Sequence, residues 1–322
     1  MNSILLDRNL ALEAVRVTEI AAIASSFHMG RGDEKAADQA AVNAMRDFLN
    51  ELDVYGKVVI GEGERDKAPM LYIGETIGKG EVKVDIALDP LEGTTITAQG
   101  GENALSVLAI GEEGSFLHAP DIYMKKIAYG YKYENLEINI DDEPRKIIKE
   151  FSNFSKIRAE NIVVCILDRP RHQELINEVR STGARIKLIP DGDVSAVIAT
   201  SIDDSGIDLY MGTGGSPEGV LAAAALRCLG GKIYTKLIYD NDESFERAKK
   251  MGVMKKDQIF KTNDLAKGDV MFSATGVTDG TLLKGVRIKN NYAHTHSVVM
   301  RSKTSTIRYI NANHNLNIKK YR

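Results

Sequence analysis

Along residues 82–89 apolar side chains alternate with polar or small ones: Val82, Val84, Ile86 and Leu88 fall on one side, Lys83, Asp85, Ala87 and Asp89 on the other. A period of two marks a strand with one buried face. Pro90 follows and cannot donate to a sheet ladder, so the strand is expected to stop there, with Asp89 at its carboxyl edge. Upstream, the three-to-four spacing of helices runs over residues 9–26, where Leu12, Val15, Ile20 and Ile23 can share an inward arc. It recurs over residues 33–49, with Asp33 placed to cap the helix. Val58, Val59 and Ile60 form a short apolar strand between these segments, and residues 103–110 suit another.

The second half alternates strands and helices. Strands are predicted over 162–167, 185–189 and 207–211, and helices over 172–181, 193–199 and 220–229. Pro217 fits a first helical position and Gly230 a helix end. Strands over 270–274, 297–300 and 305–310 close the chain. The charged, weakly patterned stretch 133–156 is the expected boundary between an N-terminal metal-binding α+β half, 1–150, and a C-terminal α/β substrate-binding half, 151–322. The fold class is α/β.

Charge narrows the partners. Lys plus Arg number 42 against 45 Asp plus Glu, so no basic field is available for nucleic acid or a membrane surface, and a small molecule is the expected partner. The first residues carry too short an apolar run for a signal peptide, and no stretch has the length of a membrane span. Cys165 sits in an apolar strand pattern and Cys228 on an alanine-rich helix; both read as small buried hydrophobes, consistent with a cytoplasmic location.

Candidate chemistry concentrates at strand ends. Asp89 and Glu92 can converge on one hard cation, Gly93 admits close backbone approach to a phosphate, and Thr94 offers a hydroxyl beside it. A second strand ends in Gly61-Glu62-Gly63-Glu64-Arg65-Asp66, delivering carboxylates again. Asp38 shares a helical stripe with Ala41, Val42 and Met45, so its carboxylate must be paired or bind a metal. The glycine-rich run 212–219 enters a helix and could present backbone N–H groups to an anion, although it matches neither the P-loop nor the dinucleotide fingerprint. His294 and His296 alternate without an acidic or cysteine partner nearby in sequence, which makes a poor metal motif.

Taken together, Gly30-Arg31-Gly32-Asp33 with Asp38, the Glu62 to Glu64 cluster, Asp89-Pro90-Leu91-Glu92-Gly93-Thr94, Arg169-Pro170-Arg171-His172, Asp191-Gly192-Asp193 and Gly214 to Gly219 resemble the class II (GlpX-type) fructose-1,6-bisphosphatases, within the lithium-sensitive, metal-dependent sugar phosphatases. The resemblance covers nearly the whole chain. It implies a layered α-β-α-β-α sugar-phosphatase fold with two fused halves and a site in the cleft, acting in gluconeogenesis as a homodimer or homotetramer. It places Mn²⁺ or Mg²⁺ on Asp38, Glu62, Asp89, Glu92 and Glu218. Substrate contacts carry over to Glu92, Gly93, Thr94, Tyr123, Arg169, Pro170, Arg171, Asp191, Gly192, Asp193 and Gly215. Thr94 would align the attacking water at the scissile phosphate and Glu64 or Asp66 would take its proton. Relatives commonly carry lysine directly after the aspartate of Gly-Arg-Gly-Asp, whereas this chain has Glu34 and then Lys35. The implied substrate is the sugar bisphosphate fructose 1,6-bisphosphate. The rivals are a bifunctional fructose/sedoheptulose-bisphosphatase, another sugar-phosphate phosphatase, and a non-catalytic phosphosugar sensor.

Overall fold

The computed structural model describes residues 9–63 and 70–318. In chain order the elements are α1 (Leu10–Ser26), α2 (Glu34–Leu49), β1 (Tyr55–Ile60), β2 (Thr76–Ile77), β3 (Lys83–Glu92), α3 (Thr94–Gln99) and β4 (Leu105–Glu112). There follow β5 (Tyr123–Tyr129), α4 (Pro144–Ser155), β6 (Val163–Leu167), α5 (Gln173–Ser181), β7 (Arg185–Ile189), α6 (Asp193–Ala199), β8 (Leu209–Gly215) and α7 (Ser216–Leu229). The chain continues through β9 (Lys232–Leu237), α8 (Asp242–Lys250), β10 (Ile259–Lys261), α9 (Thr262–Leu265), β11 (Val270–Gly276), β12 (Arg287–Lys289), β13 (Tyr292–Arg301) and β14 (Thr306–Asn315).

The fold is α/β, with one sheet in each of two units. Unit 1 comprises residues 1–117 and 266–322, and unit 2 residues 118–265, rather than halves meeting near residue 150. Two features account for the difference. β11 returns to pair antiparallel with β4, bringing the C-terminal strands into the first sheet. The stretch 133–156, polar overall, buries Leu136, Ile138 and Ile140 and then forms α4, whose Ile147, Ile148 and Phe151 enter the unit 2 core.

Among the described residues the unit 1 sheet runs β12-β13-β11-β4-β3-β1-β2, with β14 on β13. α1 lies against it almost wholly buried, and Thr18 shares hydrogen bonds with Ser273 (3.1 Å) and Thr275 (2.8 Å), so these three sealed hydroxyls are satisfied. Leu12, expected on the inward arc, is 51% exposed, because neighbouring Leu10, Ala11 and Ala14 occupy the face against the sheet. Asp33 caps α2 as anticipated, its Oδ1 accepting from Ala36 N at 2.9 Å.

The unit 2 sheet runs β10-β9-β5-β8-β6-β7. β6 pairs parallel with both β7 and β8, and β5 antiparallel with β8 and β9. Cys165 and Cys228 are both buried, and neither forms a disulfide. Among the described residues no helix is long and apolar enough to cross a membrane.

Candidate active site

In unit 1, β3 does not end at Pro90. It continues to Glu92, and its register against β4 shifts between Asp89 and Glu92, where the proline with no N–H can be tolerated. The strand is also buried on both faces, Asp85 included, with α1 and α2 packed on the face of Val84, Ile86 and Leu88. Asp89 Oδ1 accepts the Leu91 N–H at 3.0 Å, and carboxylate oxygens of Asp89 and Glu92 lie within 4.8 Å of each other. Two carboxylates at that separation repel unless a proton or a cation intervenes. Gly93 then takes a left-handed conformation (φ 94°), which a side chain rarely adopts, and Thr94 begins α3 half-buried.

Asp38 is half-buried on α2, and burial raises its carboxyl above the ordinary range. Glu62 follows β1, its N–H bonded to Leu71 O at 2.9 Å. Neither Asp38 nor Glu62 brings an oxygen within 4.8 Å of both Asp89 and Glu92. Glu64 and Asp66, the expected proton acceptors, lie outside the described residues.

In unit 2 the glycine-rich run is not a free anion loop. Gly212 to Gly215 extend β8 and pair with β5, and the next N–H, on Ser216, is spent on Ile122 O at 2.9 Å. The glycines serve a different purpose: a β-carbon on Gly214 would collide with Asp193 Oδ2, and one on Gly215 with Glu218 Oε2. They make room for two acids.

Lys126, absent from the sequence-based site, answers the first of these acids. Its side chain has no exposure, and its Nζ lies 2.6 Å from Asp193 Oδ2, which Tyr210 OH also approaches at 3.4 Å. The signal was available in the alternation of β5, where Lys126 shares a face with buried Met124 and Ala128. Part of Glu218 reaches solvent, but its Oε2 is enclosed with no hydrogen-bond partner among the described residues. Burial, and next the negative charge of Asp193, push the Glu218 carboxyl up to about 7, with Lys126 partly offsetting them.

At the end of β6, His172 is buried and donates from Nδ1 to Leu167 O (2.8 Å) while its Nε2 accepts the Thr213 N–H (2.8 Å). That pair of bonds selects the neutral tautomer, and burial lowers the ring's pKa accordingly. Arg171 Nε and Nη2 both donate to Thr213 O, at 3.1 and 2.8 Å, and the guanidinium stands 4.7 Å over the Tyr123 ring. Arg169 Nη2 is 3.9 Å from Asp191 Oδ1, which accepts the Gly192 N–H at 3.0 Å. His294 bonds instead to its cross-strand neighbour Asn313, and His296 accepts the Lys284 N–H.

The donors are of two kinds: hard carboxylate oxygens beside a hydroxyl in unit 1, and arginines with a crowded carboxylate in unit 2. They suit a divalent cation and a phosphorylated substrate. The chain belongs to the bacterial, glpX-encoded fructose-1,6-bisphosphatases, whose family model matches residues 8–314. A Synechococcus protein named D-fructose 1,6-bisphosphatase class 2/sedoheptulose 1,7-bisphosphatase is 42% identical, over 96% of each chain. A Synechocystis protein of the same name is 43% identical, over 96% of this chain and 97% of its own. The solved structure of the extragenic suppressor protein suhB from Bartonella henselae covers 59% of this chain and 73% of its own, at 15% identity and a TM-score of 0.36.

Proposed function

We propose that the chain hydrolyses the 1-phosphate of fructose 1,6-bisphosphate to fructose 6-phosphate and phosphate, with Mn²⁺ or Mg²⁺ held by Asp38, Glu62, Asp89, Glu92 and Glu218. The observation that carries this is whole-chain family membership, with the family's acidic motif on β3 bringing two carboxylates within 4.8 Å. The donor set fits the cation: the enclosed, unpartnered Glu218 Oε2 and the raised Asp38 carboxyl are both acids short of positive charge. When bound, a divalent cation neutralises developing phosphoryl charge and acidifies water.

The chain's own groups supply the rest. Thr94 contacts the scissile phosphate and aligns the attacking water, and Glu64 or Asp66 takes its proton. Arg169, Pro170 and Arg171 with Tyr123 receive the distal phosphate. Arg171 is suited to this because Thr213 O and the Tyr123 ring hold its guanidinium in place before substrate arrives. Glu92, Gly93, Asp191, Gly192, Asp193 and Gly215 complete the substrate contacts. The reading extends to a gluconeogenic role in the cytoplasm as a homodimer or homotetramer.

A second reading, cleavage of sedoheptulose 1,7-bisphosphate as well, is favoured by the double names of the relatives above. Phosphate release measured on both bisphosphates and on fructose 6-phosphate tests the two together. Release from the first alone supports the narrow reading, release from both bisphosphates the broad one, and release from neither refutes the proposal.

A further inference from the structure

Adjacent lysines on β5 point to opposite faces of the unit 2 sheet. Lys126 turns to Asp193, whereas Lys125 turns to the face that carries Ile127 and Tyr129 against α4 and α5. On that face lies a cavity of about 370 Å³, within the range of small-molecule sites. Its apolar lining comes from Ile127, Ile147, Leu175 and Met211, and its charged lining from Lys125, Lys126 and Arg171 and from Asp142, Glu174 and Glu178.

Two of the cations, Lys125 and Arg171, stand together. Lys125 is the cross-strand partner of Thr213, whose carbonyl holds Arg171, so both cations belong to the same corner. Lys125 forms no ion pair among the described residues. Its other cross-strand partner is a second lysine, Lys236, already committed to Asp141 at 2.9 Å. Like charges directly opposite on neighbouring strands destabilise a sheet, and an anion beside them removes the penalty. Burial lowers the Lys125 pKa, with Asp141 and Asp142 offsetting it only in part and Lys236 adding to it. Glu178 on α5 also lines the cavity, and its Oε2 is enclosed without a hydrogen-bond partner among the described residues. A buried acceptor left unmade is costly, and a ligand hydroxyl would satisfy it.

We propose that this cavity is a second ligand site, for a small phosphate monoester bearing hydroxyl groups, its phosphate at Lys125 and Arg171 and a hydroxyl donating to Glu178. The site touches the proposed function only in sharing Arg171 with the distal phosphate; Lys125 and Glu178 have no part in the proposed phosphatase chemistry.

Calorimetric titration of the chelator-treated protein with glycerol 3-phosphate tests this, with inorganic phosphate as the head group alone. Wild type should bind glycerol 3-phosphate more tightly than phosphate. Lys125→Met should weaken both by about tenfold or more, a loss of at least about 1.4 kcal/mol. Glu178→Leu should lower glycerol 3-phosphate towards the affinity of phosphate itself. Both variants should keep kcat and KM for the bisphosphate within about twofold of wild type, which also shows that they fold. No binding of glycerol 3-phosphate to wild type, or unchanged binding to Lys125→Met, overturns the proposal without touching the proposed phosphatase activity.

Discussion

Lys126 Nζ and Asp193 Oδ2 meet at 2.6 Å where the lysine has no solvent exposure and the aspartate 6%, so each charge depends on the other. Removing one partner of a buried pair leaves the other uncompensated, which costs about 3–5 kcal/mol. Lys126→Met should therefore lower the chemical-denaturation midpoint by a stability loss of that order. Lys126→Met combined with Asp193→Leu should recover much of it, because the orphaned charge is gone. Equal losses in the single and double variants would contradict the pairing.

Gly215 has an ordinary φ of −67°, so alanine there introduces no backbone strain. What it introduces is a methyl group against Glu218 Oε2. Gly215→Ala should shift that carboxylate while the fold persists, and weaken Mn²⁺ binding by about 10- to 100-fold, the usual cost of disturbing a ligand's support. Equilibrium metal titration alongside a thermal melt separates the two effects. Unchanged Mn²⁺ affinity would remove Glu218 from the ligand set.

His172 is held neutral, with both ring nitrogens occupied, and its pKa is lowered in the folded state. Below its ordinary value of about 6.5 the unfolded chain binds a proton that the folded chain refuses. Its contribution to stability is therefore present above that pH and lost as pH falls below it. Wild type should lose more stability between pH 7.5 and 5.5 than His172→Phe, by thermal melts in the same buffers. Parallel pH profiles would mean that the ring is not buried neutral. The raised Asp38 and Glu218 acids contribute with the opposite sign to both proteins, so the difference isolates His172.

Much of this was legible along the chain. The β6 to α7 alternation, the Asp33 cap and the acidic strand ends all follow from local periodicity and turn chemistry, and local signals survive folding unchanged. What escaped depends on distant partners. Nothing near residue 105 says that β4 will pair with residues 270–276, so the unit boundary was sought near 150. Lys126 was passed over because it sits in a Tyr-Met-Lys-Lys run that looks polar, although the apolar residues two places either side mark its inward face. The glycines of 212–219 were read as an anion cradle; that Gly214 and Gly215 make room for two acids became visible only with Asp193 and Glu218 packed against them.

Thr94 and Thr95 are both half-buried at the start of α3, and burial does not separate them. Position in the motif does. Thr94 directly follows the left-handed Gly93 and is the first hydroxyl beyond Asp89 and Glu92. Thr94→Ala should reduce kcat by about a hundredfold with Mn²⁺ binding and stability nearly unchanged, Thr94→Ser should retain more, and Thr95→Ala should matter far less. Near wild-type turnover by Thr94→Ala would transfer the water-positioning role to Glu64 or Asp66.

On this proposal acidic side chains hold a divalent cation for cleavage of a sugar bisphosphate. Its most direct test is phosphate release from fructose 1,6-bisphosphate by the purified chain, first in excess chelator and then with Mn²⁺ or Mg²⁺ restored. Release should be absent in chelator and recover fully with the cation, and Glu92→Gln should not recover. Full turnover in excess chelator would contradict it.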